Sequence, residues 1–132
     1  LMAAEAAVET GSLERGRTLV NLVRNRAKTM TPVAGTNPDI ELYNDPWVDQ
    51  AVARKAVRFE RRLELAMEGH RYFDLVRWGN MTAHMNAYIA NEAATITTFG
   101  KGQSFQDKHV RYPIPLSAID LSGGVLVQNP GH

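Results

Sequence analysis

Apolar residues recur at three- and four-residue steps along several stretches of this chain, and each such stretch predicts an amphipathic helix. Leu1, Ala4 and Val8 share one face, Gly11 breaks the pattern, and Ser12 offers a side-chain cap to the next helix. Leu13, Gly16, Leu19 or Val20, Val23 and Ala27 form a second stripe in which small residues allow close approach. So brief a turn between them makes residues 1–28 an antiparallel helix hairpin. Val48, Val52, Ala56, Phe59, Leu63 and Ala66 or Met67 make a third stripe, whose face is expected to be buried. Gly69 suits a helix C-terminus because glycine takes left-handed φ without penalty, so a short helix is expected from about His70. Met81, Met85, Tyr88, Ile89 and Glu92 predict a further helix over residues 80–94.

Between and beyond these stretches the periodicity stops. Thr31-Pro32, Gly35, Asn37-Pro38 and Asn44-Asp45-Pro46 come in quick succession, so residues 29–46 read as a long surface loop. Tyr43 and Trp47 at its end are weak candidates for ligand binding through flat aromatic faces. The reading preferred for Trp47 is a packing anchor just inside a helix N-terminus, with Asp45 as the cap and Pro46 in the first turn. Residues 95–107 read as loop, with a short extended piece at 96–99. Tyr112-Pro113-Ile114-Pro115 must be extended, because each proline restricts itself and its predecessor. Ser117 is placed to cap one turn at 118–121, and Gly123-Gly124 turns the chain into Val125-Leu126-Val127. This tail is expected to be ordered by lying on the helices, with Ile114 buried. The fold class is therefore mostly α: a helix hairpin (1–28), a loop (29–46), further packed helices (47–94) and an extended, loop-rich C-terminal tail (95–132), taken as a single unit.

Charge adds a constraint on how the helices dock. Glu60, Glu64 and Glu68 form a like-charge column at four-residue steps, and Arg54, Arg58 and Arg62 form another. Such columns weaken an isolated helix. Opposite charge must then come from other elements, with Arg71, Arg77, Arg24 and Arg26 as candidates. The net charge of +1 hides a basic run from Arg15 to Lys28 that could track phosphates, but if Arg24 and Arg26 are neutralised within the fold, no footprint for nucleic acid remains. With no cysteine, a disulfide framework and a thiolate metal site are both excluded. His70, His84, His109 and His132 are scattered without the paired spacing of a di-iron or zincin site, and no nucleophile elbow or phosphate loop is present, so neither catalytic nor metal-binding residues are expected and no cofactor is implied. No apolar run approaches the length that spans a bilayer, and no signal peptide is visible. The first residues already read as helix without a cap, and the chain is read as part of a longer protein.

The run from Glu60 to Gly79, Glu-Arg-Arg-x-Glu-Leu-x-x-Glu-Gly-x-Arg-x-x-Asp-Leu-x-Arg-Trp-Gly, resembles the signature of the SusD/RagB family of bacterial surface glycan-binding lipoproteins. Asn21-Leu22-Val23-Arg24-Asn25-Arg26-Ala27 resembles the family's Asn-x-x-Arg-x-Arg-Ala segment, and Tyr112-Pro113-Ile114-Pro115 with Gln128-Asn129-Pro130-Gly131 resembles its closing motifs. The order and spacing match across nearly the whole chain, which corresponds to the C-terminal portion of a longer protein. His132 stands where an aromatic Tyr is common. The resemblance implies tetratricopeptide-like helix hairpins and makes Glu60, Arg61, Glu64, Glu68, Gly69, Arg71, Asp74, Arg77 and Trp78 a structural motif. It also implies a non-enzymatic role in glycan uptake at the outer membrane and cell surface. The implied partner is a SusC-type TonB-dependent transporter, the oligosaccharide ligand belongs to the full-length protein, and the lipid anchor lies upstream. Tyr72, Phe73 and Trp78 could stack on sugars in such a protein, but beside Leu75 and Val76 at helical spacing they read better as core.

Overall fold

The computed structural model describes residues 1–36, 39–96, 98 and 102–132. Among these described residues are six α-helices: α1 (Met2–Glu9), α2 (Leu13–Thr29), α3 (Gln50–Glu64), α4 (His70–Arg77), α5 (Met81–Thr95) and α6 (Leu116–Leu121). A 3₁₀ turn spans Asp107–Val110, and no strand occurs among the described residues. The mostly α, tetratricopeptide-like reading holds. Asn37-Pro38, Gly100-Lys101 and two of the four residues of the extended piece expected at 96–99, Thr97 and Phe99, lie outside the described residues. The chain divides into two compact units, Leu1–Arg71 and Tyr72–His132.

In the first unit α1, α2 and α3 close around Ala4, Val8, Val20, Ala53 and Val57, with Leu1, Leu13, Leu19, Tyr43 and Trp47 partly buried against them. The hairpin forms as its two stripes require. Ser12 stands at the N-cap of α2 but makes no side-chain cap bond; its carbonyl accepts from the Gly16 N–H instead. Gly16 sets the closeness of the hairpin, since a Cβ placed there would lie 2.5 Å from Cγ2 of Val8. Val8 is fully buried and cannot step aside freely. Gly16→Ala is therefore expected to lose about 1 kcal/mol net, an overpacking penalty of roughly 2 offset by about 1 of helix propensity, readable as a lower denaturant midpoint.

The expected burial of α3 is corrected by the structure. Its covered face is Ala53, Ala56, Val57, Glu60 and Arg61, whereas Val48, Val52, Phe59, Leu63 and Met67 are exposed. Counting apolar steps misplaced the face because Glu60 and Arg61, the polar residues on the inner side, are the ones brought in. The start of α3 is corrected too: the helix begins at Gln50, and Asp49 rather than Asp45 is the cap, its carboxylate accepting from the Val52 N–H at 2.8 Å. Pro46 and Trp47 precede it. The helix stops at Glu64, and the turn to α4 passes through Met67 and Gly69, both with positive φ (67° and 77°).

The C-terminus of α1 is finished by α3. The Gln50 amide donates to the Val8 carbonyl at 2.8 Å, and Arg54 makes two bonds of 2.6 Å to the Glu9 carboxylate. Those bonds hold the Glu9 carboxyl below its ordinary 4.5. A carboxyl depressed on folding stabilises the fold above its unfolded pKa, and that contribution is lost as pH falls through the folded value. Wild type should thus be more stable than Glu9→Gln at pH 6 and indistinguishable from it at pH 2 in thermal melts; a gap that persists unchanged at pH 2 would show that Glu9 acts by packing.

The second unit contains most of α4, then α5, the 3₁₀ turn and α6. Among its described residues, Leu75, Met81 and the carboxylate-bearing Asp74 are buried. Its tail is not ordered simply by lying on helices, as the sequence suggested. The Gln128 side chain bonds both backbone groups of Ile114, accepting from N–H at 2.8 Å and donating to C=O at 2.9 Å, and Asn129 donates to the Tyr112 carbonyl at 2.7 Å. Ile114 is half-buried while Tyr112, Val125 and Val127 are exposed. Asn86 clamps Phe105 in the same two-bond way, at 2.9 and 2.7 Å. Helix α6 starts directly after Pro115, which occupies the N-cap, so the expected Ser117 cap is not used.

Candidate functional site

In the first unit, the motif beginning at Glu60 meets the basic helix and the long loop at one place. Arg24 on α2 bonds Glu60 on α3 at 2.7 Å, donates to the Glu41 carbonyl at 2.6 Å, and lies 5.0 Å over the Tyr43 ring. One guanidinium thus ties two helices to the loop. Asn21, one turn earlier on the same helix, bonds both backbone groups of Tyr43 at 2.9 Å, and Arg17 donates to the same carbonyl at 2.6 Å. Loop residues 41–44 are held like a strand against α2, with side chains in place of a partner strand. Tyr43 and Trp47 meet edge to face with centroids 5.3 Å apart, partly buried against the helical core. Burial pushes the Tyr43 phenol up from its ordinary 10.0, with Arg24 opposing.

One turn along, Arg26 pairs with Glu64. Two of the three glutamates in the column, Glu60 and Glu64, are thereby met by the basic helix, as the charge pattern demanded. Glu68 lies past the end of α3, is exposed, and has the His70 ring at 3.9 Å. Arg61 is buried; Arg71 is half-buried. In the second unit, buried Asp74 accepts from Arg77 at 2.9–3.0 Å, and the Arg77 guanidinium lies 5.1 Å over the Trp78 ring.

Two recesses accompany these residues. Met2, Val23, Arg26, Glu64, Leu65 and His70 are among those lining about 560 Å³ in the first unit. Val76, Met81, Lys108, Val110, Arg111 and Pro130 are among those lining about 650 Å³ in the second. Among the described residues no Trp, Tyr or Phe lines either one, and it is such flat faces on which sugar rings stack. Among the described residues no group of three or more His, Cys, Asp or Glu is placed to hold a metal, and no helix is long and apolar enough to cross a membrane.

What this arrangement provides is a brace in which charged side chains tie two helices to a loop. The profile of the SusD family matches residues 1–132. The chain belongs to the SusD family. It is also 30% identical, over 122 residues, to the SusD-like protein P25 of Formosa agariphila; the match takes in 92% of this chain but 20% of that relative, so the chain spans about a fifth of its length. Of the residues expected to form a structural motif, Glu60 and Glu64 pair with Arg24 and Arg26 of the basic helix, and Asp74 pairs with Arg77. Sequence reasoning missed the side-chain amides of Asn21, Asn86 and Gln128 as backbone clamps. Asn21 and Gln128 stand within the SusD-like motifs, which was the signal that could have found them; Asn86 carried none.

Proposed function

We propose that this chain is the bracing C-terminal part of a non-enzymatic glycan-binding protein of the bacterial outer-membrane surface, which binds an oligosaccharide and works with a SusC-type TonB-dependent transporter. The observation that carries this reading is the family match over the whole chain. Within it, Glu60, Arg61, Glu64, Glu68, Gly69, Arg71, Asp74, Arg77 and Trp78 act as a structural motif and not as a sugar site. Tyr43 and Trp47, packed on one another and on the helical core, serve the fold first. The pairing of Arg24 and Arg26 with acids inside the fold weighs against a nucleic-acid-binding helix.

Stacking aromatics gain affinity when several are held in one concave site, and two partly buried rings cannot supply better than about millimolar binding, around −4 kcal/mol. Calorimetry against plant, host and microbial oligosaccharides is expected to show binding by the full-length SusD-like protein that carries this stretch and none tighter than about millimolar by residues 1–132 alone. Micromolar binding by the 132-residue chain, abolished in Trp47→Ala, would move the sugar site into the loop that ends at Trp47. Co-purification of a large outer-membrane barrel with the full-length protein checks the transporter partnership.

A further inference from the structure

Helix α3 is apolar round more of its circumference than α1 and α2 cover. At about 100° per residue, Val52, Phe59 and Leu63 fall within about 40° of arc, to one side of the face centred on Ala53, Val57 and Glu60. All three are exposed, at 60%, 51% and 52%. Lys55 and Arg62 run along the outer edge of the stripe, both exposed and neither with a hydrogen bond or ion pair among the described residues. An apolar face this wide belongs to a helix packed on two sides, and one side is open.

We propose that the Val52–Phe59–Leu63 stripe is a docking face for an amphipathic helix of the same SusD-like polypeptide, drawn from outside these 132 residues and carrying acidic side chains along the edge that meets Lys55 and Arg62. Two observations select this occupant. The stretch matched in the Formosa agariphila relative is 20% of that protein, so four-fifths of a SusD-like chain is available to supply the helix. The unpaired cations specify its charge. A second copy of this chain fits less well, because in an antiparallel self-pairing the Lys55–Arg62 edge would meet itself, and like charges opposed across an interface repel. The inference rests on family membership and the exposed stripe, and it stands whether or not the protein binds a glycan.

Thiol accessibility tests it, since the 132-residue chain has no cysteine of its own. Phe59→Cys, and Val52→Cys as a milder change, are labelled with a maleimide both in the 132-residue chain and in the intact gene product that carries it, with the labelled peptide identified by mass. Both positions are expected to react about 100-fold more slowly in the intact product, where labelling requires the docked helix to open. The double change Lys55→Glu and Arg62→Glu is expected to lower the melting temperature of the intact product while leaving that of the 132-residue chain unchanged. Equal labelling rates in the two contexts would overturn the proposal. So would a gene product that contains only these 132 residues, or protection that appears in the 132-residue chain as its concentration rises, which would assign the stripe to a second copy.

Discussion

Glu60→Ala is expected to lower stability by about 3 kcal/mol, while Glu64→Ala, one turn along the same column, costs no more than about 1 kcal/mol. The chemistry of the two pairs is the same, and burial separates them. The Glu60 and Arg24 side chains are 7% and 16% exposed, so truncating the acid strands a guanidinium that water barely reaches. Arg24 cannot swing out to solvent without surrendering the Glu41 carbonyl and the Tyr43 ring, which hold the loop. Arg26 is 64% exposed and Glu64 27%, so water replaces the lost partner. Urea titrations of the two variants decide it: equal losses, or a larger loss for Glu64→Ala, would mean that desolvation of the Arg24 pair is not what sets its weight. The like-charge column alone directs attention to Glu64 as much as to Glu60, since sequence spacing carries the sign of the missing partners but not the depth at which they meet.

That difference runs through the whole molecule. The α1–α2 hairpin was legible because small and β-branched residues at helical steps leave only one face to bury, and Ala4, Val8, Gly16 and Val20 occupy it. The α3 face was misread because Phe59 and Leu63 weigh heavily in any hydrophobic count, yet the two helices they were expected to meet instead receive Ala53 and Val57, whose small side chains permit close approach. The ion pairs were legible as a class, because two like-charge columns on one helix require opposite charge elsewhere. The backbone clamps were not. An amide side chain that bonds the N–H and C=O of a residue 14 to 22 positions away leaves no periodicity, and Asn21, Asn86 and Gln128 look like ordinary polar positions until the extended segments are laid beside them. The SusD-like motifs contain Asn21 and Gln128, and the clamps supply a physical reason for an amide at each.

Asn21→Ala is expected to cost about 2–3 kcal/mol and to loosen the loop at a distance from the substitution. Removing the amide deletes two hydrogen bonds of 2.9 Å and leaves the Tyr43 N–H, in a part-buried setting, without its acceptor. The Tyr43 carbonyl keeps its Arg17 bond, so the loop should slacken and not leave α2 outright. Slackening has a signature that a merely global loss of stability lacks. The Tyr43 phenol is held above 10.0 mainly by burial, so partial release should bring its titration back toward 10.0, followed through a ring carbon of labelled tyrosine. Because Trp47 packs against the Tyr43 ring, its indole N–H resonance should shift and broaden in the same variant. A variant destabilised to this extent whose Tyr43 titration and Trp47 resonance both match wild type would show that Asn21 stabilises α2 itself, and that Arg17 and Arg24 suffice to hold the loop.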